Sequence, residues 1–277
     1  MKTCIKHLPP LPALIAGLVL ILAGPATAQV FKTLHTFTGA SDGANPSWGG
    51  LLLSGNTLYG AAYNGGSSSG YGTVFSVRMD GTGFKVLESF DGGNNEAYPE
   101  TGLLLAGNTL YGASGGPGST IGGLFSVNTN GTGFKTLHVF TSISAPYYTN
   151  SDGGIVCGTL ILLGNTLYGA ADFGGSGGNG NVFAVNTNGT GFTVLHSFSS
   201  FGSPHDPWVE NPPYTNSGGA RPADGVILSG DILYGTTQFG GSSGWGRCMP
   251  STPTARALRP CIISLAAATE VGRIPDR

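Results

Sequence analysis

The chain has 277 residues, of which 49 are glycine and only 26 are charged, 12 basic and 14 acidic. An ordinary soluble domain carries roughly a quarter charged residues and about 7% glycine, so this composition argues against a disordered chain, a coiled coil and a nucleic-acid binder, which need many solvated or phosphate-pairing side chains. Glycine at this level without a G-X-Y period also excludes collagen, and at about 1 kcal/mol per interior glycine it disfavours long helices; an all-β chain of short strands and tight turns is left.

At the N-terminus Lys2 and Lys6 precede an apolar run from Leu11 to Gly24, and Pro25-Ala26-Thr27-Ala28 offers small residues before Gln29. That order is the layout of a secretory signal peptide, and the run is short for a membrane span. Residues 1–28 are therefore expected to be removed, and no integral membrane span is expected in the mature chain. Cys4 precedes the apolar run, which is not the place of a lipoprotein cysteine.

The body is repetitive. LLLSGNTLYG begins at Leu51, LLLAGNTLYG at Leu103, LILLGNTLYG at Leu160 and VILSGDILYG at Val226. A second block alternates with it: VFSVRMDGTGFKVLESF from Val74, LFSVNTNGTGFKTLHVF from Leu124 and VFAVNTNGTGFTVLHSF from Val182. Tyr59, Tyr111, Tyr168 and Tyr234 open the repeated Tyr-Gly pairs at spacings of 52, 57 and 66, a period that fits a propeller blade better than any helical repeat. Each unit resolves into four strands, exemplified by Leu51 to Leu53, Thr57 to Ala61, Thr73 to Val77 and Phe84 to Phe90. Gly55-Asn56 and Asp80-Gly81 (Asn130-Gly131 and Asn188-Gly189 in later copies) supply tight hairpin turns. The fold class expected is all-β, a β-propeller-like array of four-stranded antiparallel blades in an incomplete ring.

The expected domains cover the whole chain. A repeat region spans 29–246, with an orphan fourth strand at 31–37, blades at about 50–90, 102–140 and 159–198, and a partial blade at 225–246. From Arg247 the repeat stops. One codon set for Gly246 to Leu265, read one frame over, gives TVYAVNTDGTGFTTLHHFT, identical to NVFAVNTNGTGFTVLHSF at 13 of the first 18 positions. Residues 247–277 are therefore expected to be an out-of-frame, disordered tail, and the ring to lack its closing strands. Without the leader and the tail, residues 29–246 hold 5 basic and 12 acidic side chains, which further disfavours nucleic acid as a partner.

GNTLYG, the Gly-rich loop, VFxVNTNGTGF and LHxF together resemble the GloVer (Gloeo-Verruco) tandem repeat of secreted bacterial proteins, from Phe31 to Gly246. The resemblance implies a β-propeller and brings no catalytic residue with it. The tail departs from the pattern, so no anchor is carried over.

Candidate sites lie where the copies differ. The connections from a fourth strand to the next first strand hold Trp48, Tyr98, Tyr147, Tyr148, Trp208 and Tyr214. Aromatics beside Asn, Asp and Ser suit stacking on sugars or gripping a peptide surface, and they suit packing a long loop against the ring equally well. His205, Asp206 and Glu210 form the one acid/base-like cluster, in a Pro-rich loop that offers little burial for tuning their pKa values. His35, His138 and His196 recur at one strand position, where the second unit has Glu88, and read as blade packing. Asp42-Gly43 and Asp152-Gly153 read as turns rather than calcium ligands. Cys157 reads as a small core residue. No metal and no cofactor are expected. A secreted, non-enzymatic binding or display protein results, with a glycan or a cell-surface protein as partner; the alternative is an extracellular carbohydrate-active hydrolase or lyase.

Overall fold

A computed structural model describes residues 31–46, 49–93, 97–115, 122–143, 147–201, 215–222, 224–242, 244 and 247–251. The chain divides into two compact units, Met1–Lys32 and Thr33–Arg277, and every described strand lies in the second. No described residue is helical over a stretch long and apolar enough to cross a membrane.

Three complete blades succeed one another along the chain. The first is β1 (Leu52–Ser54), β2 (Thr57–Ala62), β3 (Thr73–Arg78) and β4 (Lys85–Ser89), hydrogen-bonded in chain order. In the second, β5 (Ala97–Pro99) and β6 (Leu104–Ala106) both pair with β7 (Thr109–Gly115), which is followed by β8 (Gly123–Asn128) and β9 (Lys135–Val139). The third is β10 (Gly154–Leu163), β11 (Thr166–Phe173), β12 (Asn181–Asn186) and β13 (Thr193–Ser197). All these pairings are antiparallel, as two-residue turns demand. The third-to-fourth turn needs a left-handed residue, supplied by Gly131 at φ 83°, and a β-carbon there would stand 3.0 Å from the Leu87 carbonyl of the preceding blade.

The fourth unit departs from the expected boundary at Gly246. β14 (Asn216–Ala220) pairs with β17 (Phe239–Gly241), and β15 (Ile227–Ser229) and β16 (Ile232–Thr237) are joined by β18 (Arg247–Ser251). β18 lies within the segment expected to be a disordered tail, yet it takes the third-strand place in the repeat's own register. Thr236 faces Cys248 and Gly235 faces Met249, as Ala170 faces Val182 and Gly169 faces Phe183. Backbone pairing to an open edge is indifferent to side chains, so a repeat-length chain reaches the ladder even where Pro250 brings no N–H to it. Residues 252–277 lie outside the described residues.

The expected strand at 31–37 joins no ladder among the described residues. Its side chains nevertheless pack as fourth strands do. His35 stacks on Phe84 at 3.6 Å and Phe37 meets Phe75 edge-on at 5.1 Å; His138 stacks on Phe192 at 3.6 Å and Phe140 meets Phe183 at 5.7 Å.

The cores lie between blades. Leu87 and Phe90 of the first blade pack with Leu103, Leu110, Phe125 and Val127 of the second. Leu137 and Phe140 of the second pack with Leu160, Leu167, Phe183 and Val185 of the third. Middle strands β3, β8 and β12 are buried along almost their whole length, because a neighbouring blade covers each face. Inside each blade a glycine lies beneath a phenylalanine ring. A β-carbon on Gly60, Gly112 or Gly169 would stand 2.6–2.7 Å from Cζ of Phe75, Phe125 or Phe183.

Candidate functional site

Antiparallel order puts the first-to-second and third-to-fourth hairpins at one end of the array, and the second-to-third and fourth-to-first connections at the other. The hairpin end is uniform. Asp80, Asn130 and Asn188 each accept bonds from the N–H (2.8–3.0 Å) and the hydroxyl (2.7 Å) of the threonine two residues on, an Asx-turn repeated without variation. The opposite end keeps its backbone and changes its chemistry.

At that end each unit places a non-glycine residue in the left-handed region a few residues ahead of its aliphatic triplet. Asn45, Tyr98, Ile155 and Arg221 stand at φ 54°, 53°, 52° and 52°, a conformation uncommon for such side chains and strained for β-branched Ile155. Each of the latter three has a counterpart at the end of the second strand of the blade before it: Tyr63, Gly115 and Asp172, four residues after the Tyr of Tyr-Gly. At the first junction Tyr98 stacks on Tyr63 (4.9 Å, 24°), meets Tyr71 edge-on (5.5 Å) and donates its N–H to the Tyr71 carbonyl (2.7 Å). At the third, the Arg221 guanidinium takes both carboxylate oxygens of Asp172, at 3.2 and 2.9 Å, and lies 4.5 Å from the centre of the Phe173 ring. The same backbone device therefore presents an aromatic pair in one place and a clamped ion pair in another.

Burial raises the Glu100 carboxyl above its ordinary value. Burial, with Glu100 and Tyr98 adding repulsion, raises the Tyr63 phenol. Burial, chiefly, with Asp172, Glu100 and Asp224 opposing a negative charge, pushes the Cys157 thiol up to about 12. A thiol so placed stays protonated at neutral pH, although Cys157 is half-buried and lies outside the core clusters.

The recurring histidines belong to the packing of this end. Asp42 accepts bonds from the Thr38 N–H (3.0 Å) and hydroxyl (2.5 Å) and pairs with His35 Nε2 at 3.1 Å. The Thr38 hydroxyl is the main cause of a carboxyl held below its ordinary value. Asp152 repeats the arrangement with the Thr141 N–H (3.0 Å), the Thr141 hydroxyl and His138 Nε2 (3.0 Å). Both aspartates close turns, as read from the sequence. Among the described residues no group of three or more His, Cys, Asp or Glu is placed to hold a metal ion.

Of the aromatic candidates, Tyr98 sits in the tyrosine cluster, Tyr147 is 47% exposed, and Tyr148 is left-handed at φ 53°. Trp48, Trp208 and Tyr214 lie outside the described residues, as do His205, Asp206 and Glu210. The phrase Tyr-Thr-Asn-Ser occurs twice, at Tyr148 to Ser151 and at Tyr214 to Ser217, and its asparagine has the same role in both. Asn150 bridges the Thr141 and Gly153 carbonyls at 2.7 Å each, and Asn216 bridges those of Ser199 and Gly219 at 2.9 and 3.0 Å. Sequence reasoning did not single out Tyr63, Tyr71, Glu100, Asp172 and Arg221. For Tyr63 and Asp172 the signal is a variable residue four positions after the Tyr of an invariant Tyr-Gly. A cavity of about 710 Å³ between the third blade and the fourth unit is lined by Leu160, Ile161, Val226, Tyr234, Gly235 and Cys248. It lies beside the glycine that a phenylalanine covers in the other blades, and reflects the departure of β18 from the repeat.

Fold and surface together define a β-propeller-like repeat array with a variable end. The family described as the Gloeobacter/Verrucomicrobia repeat matches residues 21–156 of the chain. No curated protein matches the chain. Among solved structures, one described as a nidogen/laminin complex is similar at 13% identity and TM-score 0.45, over 79% of this chain and 61% of that one. Another, from a study of two prolyl endopeptidases, is similar at 11% identity and TM-score 0.41, over 75% of this chain and 26% of that one. The chain thus spans less than two thirds of either.

Proposed function

We propose that this is a secreted, non-enzymatic binding or display protein acting at the cell exterior, with the variable end as its contact surface and a glycan as its ligand. One observation carries the reading: the left-handed position keeps one backbone at each junction and changes its side chain from Tyr98, stacked on Tyr63, to Ile155 and to Arg221, paired with Asp172, while the hairpin end stays constant. A fixed frame bearing variable side chains is what recognition uses, and stacked tyrosines are suited to a sugar face. The N-terminal order of Lys2, Lys6, the apolar run and Ala26 to Ala28 supports export.

The test is a glycan array probed with the full chain, beside Tyr63→Ala and Tyr98→Ala. A bound glycan lost tenfold or more in both variants, at about 1.4 kcal/mol, with the glycan recovered intact, is the expected result. Cleavage of the glycan, or binding indifferent to both substitutions, overturns the reading.

A further inference from the structure

The His-Asp-Thr arrangement found ahead of the first blade (His35, Asp42, Thr38) and at the second junction (His138, Asp152, Thr141) has a third copy, at the third junction, whose frame is intact and whose carboxylate is missing. Asn216 does at the third junction what Asn150 does at the second. Its Nδ2 bridges the carbonyls of Ser199 and Gly219, as Asn150 bridges those of Thr141 and Gly153. The Gly219 N–H returns to Asn216 Oδ1 at 2.7 Å, as the Gly153 N–H does to Asn150 Oδ1 at 2.9 Å. This register sets His196 on His138, Ser199 on Thr141 and Gly218 on Asp152. Where a β-carbon of Gly218 would stand, the nearest atom among the described residues is Ser199 Oγ, 3.4 Å away. His196 Nε2 is buried and has no hydrogen-bond partner among the described residues. In both other copies the equivalent nitrogen is held by an aspartate.

A buried imidazole nitrogen with nothing to bond is uncommon in a folded chain and calls for an explanation. Here it coincides with the loss of the one side chain that answers it elsewhere. We infer that the pocket formed by His196, Ser199 and Gly218 is a binding site for the carboxylate group of a ligand. A carboxylate seated over Gly218 meets the Nε2 proton of His196 and the N–H and hydroxyl of Ser199, the counterparts of the donors that hold Asp42 and Asp152. Donors aimed at two oxygens let a repeat body with 5 basic and 12 acidic side chains hold an anion without a positive field. Exposed Ser199 forms the mouth. The site is at the third junction, apart from the tyrosine cluster at the first, and does not rest on it.

Side-chain nitrogen-proton spectra of the full chain, with acetate as the probe, test the inference. The expected result is a saturable shift of the His196 ring signals, with those of His35 and His138 unmoved. Gly218→Asp, allowed by the backbone because Gly218 is not at positive φ, is expected to show the shifted His196 signals without acetate and no response to it. Ser199→Ala, which preserves the frame, is expected to weaken acetate binding by roughly fivefold, the worth of one hydrogen bond near 1 kcal/mol. An unresponsive His196, an equal shift with chloride at the same ionic strength, or an undiminished acetate response in Ser199→Ala overturns it.

Discussion

His138 and His196 hold one position in successive blades, and burial pulls both imidazoles below their ordinary value, opposed in His138 by the bond to Asp152. A histidine whose folded pKa is depressed takes up its proton more readily when unfolded. Its contribution is complete above the unfolded value, about 6.5, and is lost as the pH falls from there through the folded value. Glu88 and Glu100, raised mainly by burial, act in the opposite sense, since their neutral forms suit the fold. The measurement is therefore a difference: the melting temperature of wild type relative to His196→Phe at pH 7.5 and at pH 5.5. Wild type is expected to lose more on acidification than the variant, and parallel behaviour would mean that His196 is not shielded from water. The sequence shows three histidines at one repeat position, but not which of them lacks a partner among the described residues. Gly218 falls on the Asp152 position only once both loops, of different length, have folded.

Within an element, what decides packing is the glycine under the aromatic ring. The Tyr-Gly pair puts Gly169 where Phe183 Cζ and Leu160 Cδ2 would stand 2.6 and 2.8 Å from a β-carbon, so Gly169→Ala must push a fully buried ring. Overpacking of this kind costs about 1–3 kcal/mol, and a drop of roughly 2–4 °C in melting temperature per kcal/mol is expected for a domain this size. At Gly235 the nearest described atom to a β-carbon is Val226 Cγ1 at 3.4 Å, so Gly235→Ala is expected to be tolerated far better. Parallel thermal melts check the contrast; equal losses would contradict it. The strands themselves were readable almost to the residue, because hairpin turns and apolar triplets are local signals. The extra pairings of β5 and of β14 with β17 were not, since Gly/Ser-rich stretches pair by backbone position rather than by side-chain pattern.

At the scale of the molecule, stability is a chain of junctions, each blade touching its neighbours alone. Phe192 is one such link, stacked on His138 at 3.6 Å and on Phe183 at 5.5 Å. Phe192→Ala removes the ring from the junction between the second and third blades, at a cost of roughly 2–4 kcal/mol for a half-buried phenylalanine. Urea unfolding followed by circular dichroism is expected to change from one transition toward two as the third blade uncouples. A single transition, merely shifted, would show that cooperativity passes elsewhere.

The repeat, its period, the four strands of each blade and the positions of the hairpins were determined by the sequence alone. They rest on contacts a few residues apart, which turn chemistry and alternation encode directly. The variable end was decided by tertiary structure. Tyr63 meets Tyr98, Asp172 meets Arg221, and Asn216 reaches Ser199 across connections of unequal length, and only the folding of blade on blade brings such residues to one place. The pairing of β18 was likewise a tertiary decision, because an open sheet edge accepts any backbone that reaches it in register.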